Sequence, residues 1–258
     1  MNLKQALVRT PGLAADSVVS TLSDGPTNTS YLVKQGEELC VLRLDKPLAE
    51  ELGLDRTAEH DIIEATSLAG IGGRPLHFDP DNGISLRQYM PGRSWHEADL
   101  QDIQNLKRLA SRLRDLHAMP PIGNYYEPGR AARRYARHLG TDEARQIADA
   151  ANLLLAELHS DQARECLCHN DLVAENIVEG SGGLWLIDWE YAGLGDPWFD
   201  LALVIEHHDL DDGLQAGFVF AYLRREPREQ EMKRLRTWRR FYHALLTLWR
   251  LRTDGDGS

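Results

Sequence analysis

The stretch from Cys168 to Asp200, CHNDLVAENIVEGSGGLWLIDWEYAGLGDPWFD, constrains this chain more than any other. It holds two hydrophobic strand-like runs separated by a turn of glycine and serine, with polar and acidic residues just outside each run. His169, Asp171 and Asn176 accompany the first run. Asp188 and Glu190 follow the second, Leu184-Trp185-Leu186-Ile187. A hairpin of this kind would bring Asp171, Asn176 and Asp188 to one end of a small sheet. Hard oxygen ligands grouped in that way suit Mg²⁺ and phosphate chemistry.

The preceding sequence reads as a small sheet with one helix. Residues 1–16 read as a short helix broken at Pro11 and Gly12. Strand-like runs follow at Val18 to Leu22, Tyr31 to Val33 and Glu38 to Leu44. The first turn, Ser23 to Ser30, is rich in small and hydroxyl residues. Taken alone it is an ordinary hairpin turn, although backbone N–H groups near Asn28 and Thr29 would have room to approach a phosphate. Arg43 sits among apolar neighbours in the third run, and a cation on a half-buried strand requires a partner. Residues 55–69 carry apolar side chains at helical spacing and offer Glu59 and Glu64. Glu59, one turn into that helix, is the preferred partner. A hairpin from Leu76 to Met90 and then Pro91-Gly92 mark the end of a first lobe, residues 1–90.

The remainder, residues 91–258, reads as mainly helical. Asp99 to Met119 repeats leucine and isoleucine at three and four, and residues 130–158 continue the helical pattern. Three further helices follow the central hairpin, at Leu201 to His207, Leu214 to Leu223 and Glu229 to Leu251, with a polar, disordered tail from Thr253 to Ser258. The fold class expected is therefore α+β: a small β-rich N-terminal lobe, a larger helical C-terminal lobe, and a ligand site of the kind that forms in a cleft.

Composition narrows the partners. The formal net charge of −11 disfavours nucleic acid and suits a cationic substrate. No run of apolar residues is long enough for a membrane span, and the first residues lack the apolar core of a signal peptide. Three cysteines, Cys40, Cys166 and Cys168, fit a reducing cytoplasm. Cys166-Leu-Cys168 has the spacing of strand residues facing one side, and no second ligand pair stands near it to complete a metal clip. The expectation is a cytoplasmic protein, monomer or homodimer, acting on a small molecule.

His169-Asn-Asp171-Leu-Val-Ala-Glu-Asn176, with Asp188 twelve residues later, fits the pattern H-x-D-x-x-x-x-N followed by a strand-end aspartate. Together with IDWEY and DPWFDLA, it resembles the aminoglycoside phosphotransferase / choline kinase superfamily. It is most similar to the branch of choline and ethanolamine kinases and bacterial thiamine kinases. The resemblance extends to Thr27-Asn28, Val41-Leu42-Arg43, Arg56 to Glu59, Tyr89 to Gly92 and Leu116-His117, in the right order.

This likeness implies a two-lobed protein-kinase-like fold using ATP and Mg²⁺. It implies Asp171 as the base that accepts the acceptor hydroxyl's proton, and Asn176 and Asp188 as metal ligands, with Glu190 beside them. His169 braces the loop, and Asp196 and Asp200 are structural. Arg43, oriented by Glu59, would meet the phosphates along with the turn at Asn28 and Thr29. Gln88, Tyr89 and Met90 would form the adenine hinge, with Val41 and Ile187 as apolar walls. Trp189, Tyr191 and Trp249 are implied beside the acceptor, although Trp238, Tyr242 and Trp249 also have the spacing of an ordinary core face. The doublet His207-His208 reads as a helix surface feature.

The activity so implied is phosphorylation of an alcohol on a small cationic metabolite of choline or ethanolamine type, with thiamine as the alternative acceptor. An aminoglycoside or sugar acceptor, or a non-catalytic nucleotide-binding pseudokinase, are further alternatives. A protein kinase is disfavoured, because D-F-G, A-P-E and an activation loop are missing.

Overall fold

A computed structural model describes residues 2–159 and 165–255. In chain order the elements are α1 (Leu3–Arg9), β1 (Val18–Asp24), β2 (Asn28–Gln35), β3 (Glu38–Asp45), α2 (Pro47–Glu51), α3 (Arg56–Leu68), β4 (Pro75–Asp79) and β5 (Ile84–Gln88). There follow β6 (Arg93–Ser94), α4 (Glu97–Leu100), α5 (Ile103–His117), α6 (Pro128–Leu139), α7 (Asp142–His159) and β7 (Cys166–Cys168). The chain closes with β8 (Ile177–Gly180), β9 (Gly183–Leu186), β10 (Gly193–Gly195), α8 (Pro197–His207), α9 (Asp212–Leu223) and α10 (Glu229–Gly255).

These elements form two compact units. The first comprises the residues up to Arg93 together with Val178–Tyr191. The second comprises Ser94–Ile177 and the residues from Ala192 onward. The expected α+β class is observed, with an antiparallel sheet in the first unit and helices dominating the second.

The first unit is built on a five-stranded antiparallel sheet in the order β1-β2-β3-β5-β4. Alternation along β3 decides what it presents. Cys40, Leu42 and Leu44 point to one face, where they join Val33, Ile84, Leu86 and the buried side of α1, Ala6 and Leu7. Val41, Arg43 and Asp45 consequently share the other face. α3 starts at the N-cap Asp55, whose carboxylate accepts the Ala58 N–H, and buries Glu59, Ile62, Ile63 and Thr66. The return segment is tied to this unit by Leu186 N–H donating to Ile71 O at 2.9 Å. Gly72 packs closely here: a Cβ would lie 3.2 Å from Trp189 Nε1, so the ring would have to give by a few tenths of an ångström.

In the second unit the single helix expected over 130–158 is two. Gly140, at φ 69°, caps α6 in the left-handed region, where glycine is free of the Cβ penalty, and α7 begins two residues later. The helix expected from Asp99 is likewise interrupted: Asp102 caps a new helix, accepting the Gln104 N–H, so α4 and α5 are separate. α10 extends to Gly255, beyond the expected end at Leu251 and into the stretch read as a tail. Residues 256–258 of that stretch lie outside the described residues. The short strand β7 pairs with β10. Against β10 lies the segment around Tyr126, whose N–H donates to Leu194 O at 3.0 Å, while Leu194 N–H donates to Asn124 O at 2.9 Å. Among the described residues no helix is long and apolar enough to cross a membrane.

Candidate active site

The face of β3 that carries Arg43 meets Glu59 of α3 directly. The guanidinium donates through both terminal nitrogens, at 2.6 Å to Oε1 and 2.7 Å to Oε2. Both side chains are buried, at 4% and 3% exposure. Burial would push the Glu59 carboxyl up, but the charge and hydrogen bonds of Arg43 outweigh it and bring the pKa down to about 2. Burial works against the charged form of Arg43 too, yet Glu59 holds its pKa above the ordinary range. Each terminal nitrogen of Arg43 retains a second N–H.

A second guanidinium completes the cluster. Arg56, in the first turn of α3, donates to Asp45 Oδ2 at 2.9 Å, to Glu59 Oε2 at 2.7 Å and to Glu190 Oε2 at 3.3 Å. The sequence displays Arg56 only as part of the Arg56-Thr-Ala-Glu59 string. Its bridging role was signalled by its three-residue spacing to Glu59, which places the two on one helix face.

Glu190 lies inside this network. It accepts from Thr27 Oγ1 at 3.1 Å and from Asn28 Nδ2 at 3.5 Å, so the β1–β2 turn is tied to the segment after β9. Its pKa rises to about 7, chiefly through burial and then through the Asp188 carboxylate, against the pull of Arg56 and Arg43. Asp188 adopts φ 66°, a left-handed conformation that aspartate tolerates better than most residues, and one that often marks a functional position. Its Oδ1 stands 3.8 Å from Arg43 NH1. That oxygen is buried and has no hydrogen-bond partner among the described residues.

The hinge segment is partly occupied by the protein itself. Gln88 N–H donates to Arg74 O at 2.8 Å and Tyr89 N–H to Leu39 O at 3.1 Å. Val41 and Ile187 are half-buried in this same unit. Asn28 is buried, whereas Thr29 turns its hydroxyl to Asp24 at 2.7 Å. Lys46, which the sequence did not single out, secures the turn by donating to Asp24 Oδ1 and Gly25 O, both at 2.7 Å.

In the second unit the loop after β7 is organised by Asp200, in the first turn of α8. Its carboxylate is fully buried, at 0% exposure. It accepts from His169 N–H at 2.8 Å, from Asn170 N–H at 2.7 Å and from His117 Nε2 at 3.0 Å. Burial alone would raise the Asp200 pKa; the bond and charge of His117 overcome that and lower it. Asn170 takes φ 65°, so the chain reverses immediately before Asp171. Asn176 then fixes Asp171 by donating Nδ2 to its backbone O at 2.8 Å and to Oδ2 at 3.1 Å. Asp196 is the N-cap of α8, accepting the Trp198 N–H at 3.0 Å.

Aromatic rings surround this loop. Tyr126 and Tyr242 have pKa values raised far above the ordinary range, first by burial, with the Asp171 carboxylate contributing to both. Tyr126, Trp238, Phe241 and Tyr242 all pack around Phe199. Tyr126 was not among the residues singled out from sequence. Gly193 admits it: a Cβ there would lie 2.5 Å from Asn124 O.

The implied acceptor aromatics are dispersed. Trp189 belongs to the first unit's interior at 2% exposure, so its ring is core. Tyr191 is half-buried in that same unit. Trp249 is 45% exposed on α10, whereas Trp238 and Tyr242 of the same helix are buried. The His207-His208 doublet is also corrected. His208 is buried and bonded to Leu172 O at 3.1 Å, and His207 Nδ1 pairs with Tyr242 OH at 2.8 Å.

The family described as "Phosphotransferase enzyme family" matches residues 18–240. The chain belongs to that family. Protein LicA of Haemophilus influenzae is 29% identical over 196 residues, covering 72% of this chain and 57% of that protein. The thiamine kinase of Shigella boydii serotype 4 is 27% identical over 198 residues, covering 72% of this chain and 65% of the enzyme. The chain therefore spans less than two thirds of either relative. Among solved structures, a choline/ethanolamine kinase family protein from Mesorhizobium loti has a TM-score of 0.79 at 21% identity, over 99% of this chain and 86% of its own. LicA in complex with AMP has the same TM-score and identity, over 99% and 90%. At that identity they establish the shared fold.

Proposed function

We propose that this chain is an ATP- and Mg²⁺-dependent phosphotransferase that phosphorylates the hydroxyl of a small cationic metabolite of choline or ethanolamine type. The observation that carries the reading is Asp188 Oδ1, a buried carboxylate oxygen with no hydrogen-bond partner among the described residues, 3.8 Å from the Arg43 guanidinium. A buried oxygen is rarely left in that condition unless a cation or ligand completes it. The nearby Glu190 carboxyl, raised by the same crowding of negative charge, fits the same need. Hard carboxylate oxygens are the donors that Mg²⁺ takes.

In this reading the carboxylates of Asp188 and Glu190 hold Mg²⁺. The ion neutralises phosphate charge when bound. Arg43, with its second N–H groups, and the turn at Asn28 and Thr29 receive the phosphates. The Gln88 and Tyr89 N–H groups are already spent, so the adenine edge is read at Met90, with Val41 and Ile187 as its walls. Asp171, held by Asn176, accepts the proton of the attacking hydroxyl. Tyr126 and Tyr242 lie close enough to feel the Asp171 charge, and a cationic head favours such π faces beside a carboxylate. The relatedness to LicA and to a choline/ethanolamine kinase family protein supports the choline-type acceptor. The relatedness to a thiamine kinase supports the second reading, thiamine, which also presents a cationic ring and a primary alcohol.

The test is ADP release from ATP and Mg²⁺ with choline, ethanolamine, thiamine and an aminoglycoside in parallel. Turnover on choline or ethanolamine is expected. Turnover confined to thiamine selects the second reading, and ATP binding without ADP release on any acceptor sinks the enzymatic one. Asp171→Asn is expected to lower turnover by about 10³-fold while leaving nucleotide affinity intact. Wild-type turnover in that variant would remove Asp171 from the role of base.

A further inference from the structure

The two cysteines of β7 have no part in the proposed chemistry, yet the fold gives them a third partner. Residues 166 and 168 alternate with Leu167, so their side chains share one face of the strand. Their Sγ atoms lie 3.8 Å apart, and neither is in a disulfide. The last turn of α5 delivers His117 to that face. Among the described residues, His117, Cys166 and Cys168 form a group whose ligand atoms all lie within 4.8 Å of one another, and all three residues are buried. The spacing of the cysteines alone offers no such partner, because His117 lies about fifty residues away in sequence.

The geometry points to a binding site for a thiophilic divalent cation of the Zn²⁺ class, made by Cys166 Sγ, Cys168 Sγ and a ring nitrogen of His117. Three features favour it. Zinc–sulfur bonds of about 2.3 Å at a tetrahedral angle place two sulfurs about 3.8 Å apart, which is the separation observed. Two thiolates offset the double positive charge, so the loaded site is neutral, as a buried site requires. And each ring nitrogen of His117 has an oxygen partner, Asp200 Oδ2 at 3.0 Å and Tyr222 OH at 2.9 Å. A metal that takes one of those positions leaves the other as the outer support that ligating histidines generally have. Three protein ligands match the count of a zinc site that keeps one position open.

Burial and the neighbouring Cys166 hold the Cys168 thiol well above the ordinary cysteine range. Cysteine ligates as the thiolate, so protons held by the ligating thiols pass to solvent on metal uptake. The site uses soft donors, whereas the proposed Mg²⁺ ligands are oxygens, so the two ions do not compete.

The experiment uses the reduced full-length chain, titrated with Co²⁺ or Cd²⁺ in excess Mg²⁺ and followed by sulfur-to-metal charge-transfer absorption and proton release. The expected result is one metal per chain with a thiolate band accompanied by proton release. Cys40→Ala is expected to leave the band unchanged, and Cys166→Ala with Cys168→Ala to abolish it. Absence of a thiolate band at one equivalent in the wild-type chain overturns the site, whatever the folding of the variants. A band that persists in the double variant, or one that disappears on adding Mg²⁺, overturns it equally.

Discussion

Each unit buries a cluster of charge, and the two clusters are balanced differently. In the second unit one carboxylate, Asp200, is surrounded by donors: two backbone N–H groups and the His117 ring. Its accepting capacity is used, and its pKa is lowered. In the first unit four carboxylates, Asp45, Glu59, Asp188 and Glu190, act on one another in the presence of Arg43, Arg56 and Arg87. Negative charge is in excess by one. The surplus shows in the raised pKa of Glu190 and in the unbonded Asp188 Oδ1. The first arrangement fixes a loop, whereas the second carries uncompensated negative charge, and counting donors against acceptors tells them apart.

The contrast is testable, beginning with the largest effect. Asp200→Ala strips the acceptor from two buried N–H groups and a histidine, and is expected to cost about 4 kcal/mol of stability in urea unfolding. A loss below about 1 kcal/mol would show that water substitutes for the carboxylate and that the cluster is not closed. Glu59→Gln leaves Arg43 without its bidentate partner and is expected to cost about 3 kcal/mol by the same measurement. That loss is smaller because Asp45 and Asp188 remain to share the cation.

Asp188→Asn should have the opposite sign. Removing one of the crowded negative charges is expected to raise metal-free stability by about 1 kcal/mol, while ADP release falls to background. Thermal unfolding without Mg²⁺, set beside turnover, reads both. A destabilised Asp188→Asn would mean that the first cluster was balanced after all.

The smallest effect concerns His207, whose pKa is lowered to about 4, first by burial and then by the charges of His208 and Arg250. The unfolded chain takes up a proton near 6.5, whereas the folded one resists until about 4. Stability from this source is therefore complete above 6.5 and is lost as the pH falls toward 4. His207→Gln should flatten the dependence of the unfolding midpoint in that window, though only in part, because the His208 pKa is lowered as well.

Much of this site could be read from the sequence because its chemistry is written in short spacings. Asp171 and Asn176 are five residues apart, and their bond depends on one local turn. Arg43 and Glu59 were matched by a simple demand, that a cation on an apolar strand face needs an anion on the helix behind it. What escaped depended on long separations. Glu190 finds Thr27 across 163 positions, and no local pattern announces that contact. Trp189 looked like a ligand-facing aromatic because nothing near it in sequence reveals that Gly72 vacates the space its ring fills. His208 read as surface for a similar reason, since its carbonyl partner at Leu172 lies in another element. Two expected helices are each divided, at Gly140 and at Asp102, where capping residues sit inside an otherwise continuous apolar rhythm.

The first unit is not a continuous piece of chain. Its sheet ends near Arg93, but Val178–Tyr191 belongs to it as well, with Leu186 bonded to Ile71 and Trp189 filled in beside Gly72. During vectorial synthesis the ribosome must therefore release nearly a hundred further residues before this unit can be completed. Until then the Ile71 carbonyl lacks the Leu186 N–H that it accepts. A gene fragment that stops at Arg93 would encode this unit without Asp188, Glu190 and the segment that carries them. Exchange of this lobe between relatives must carry the later segment with it.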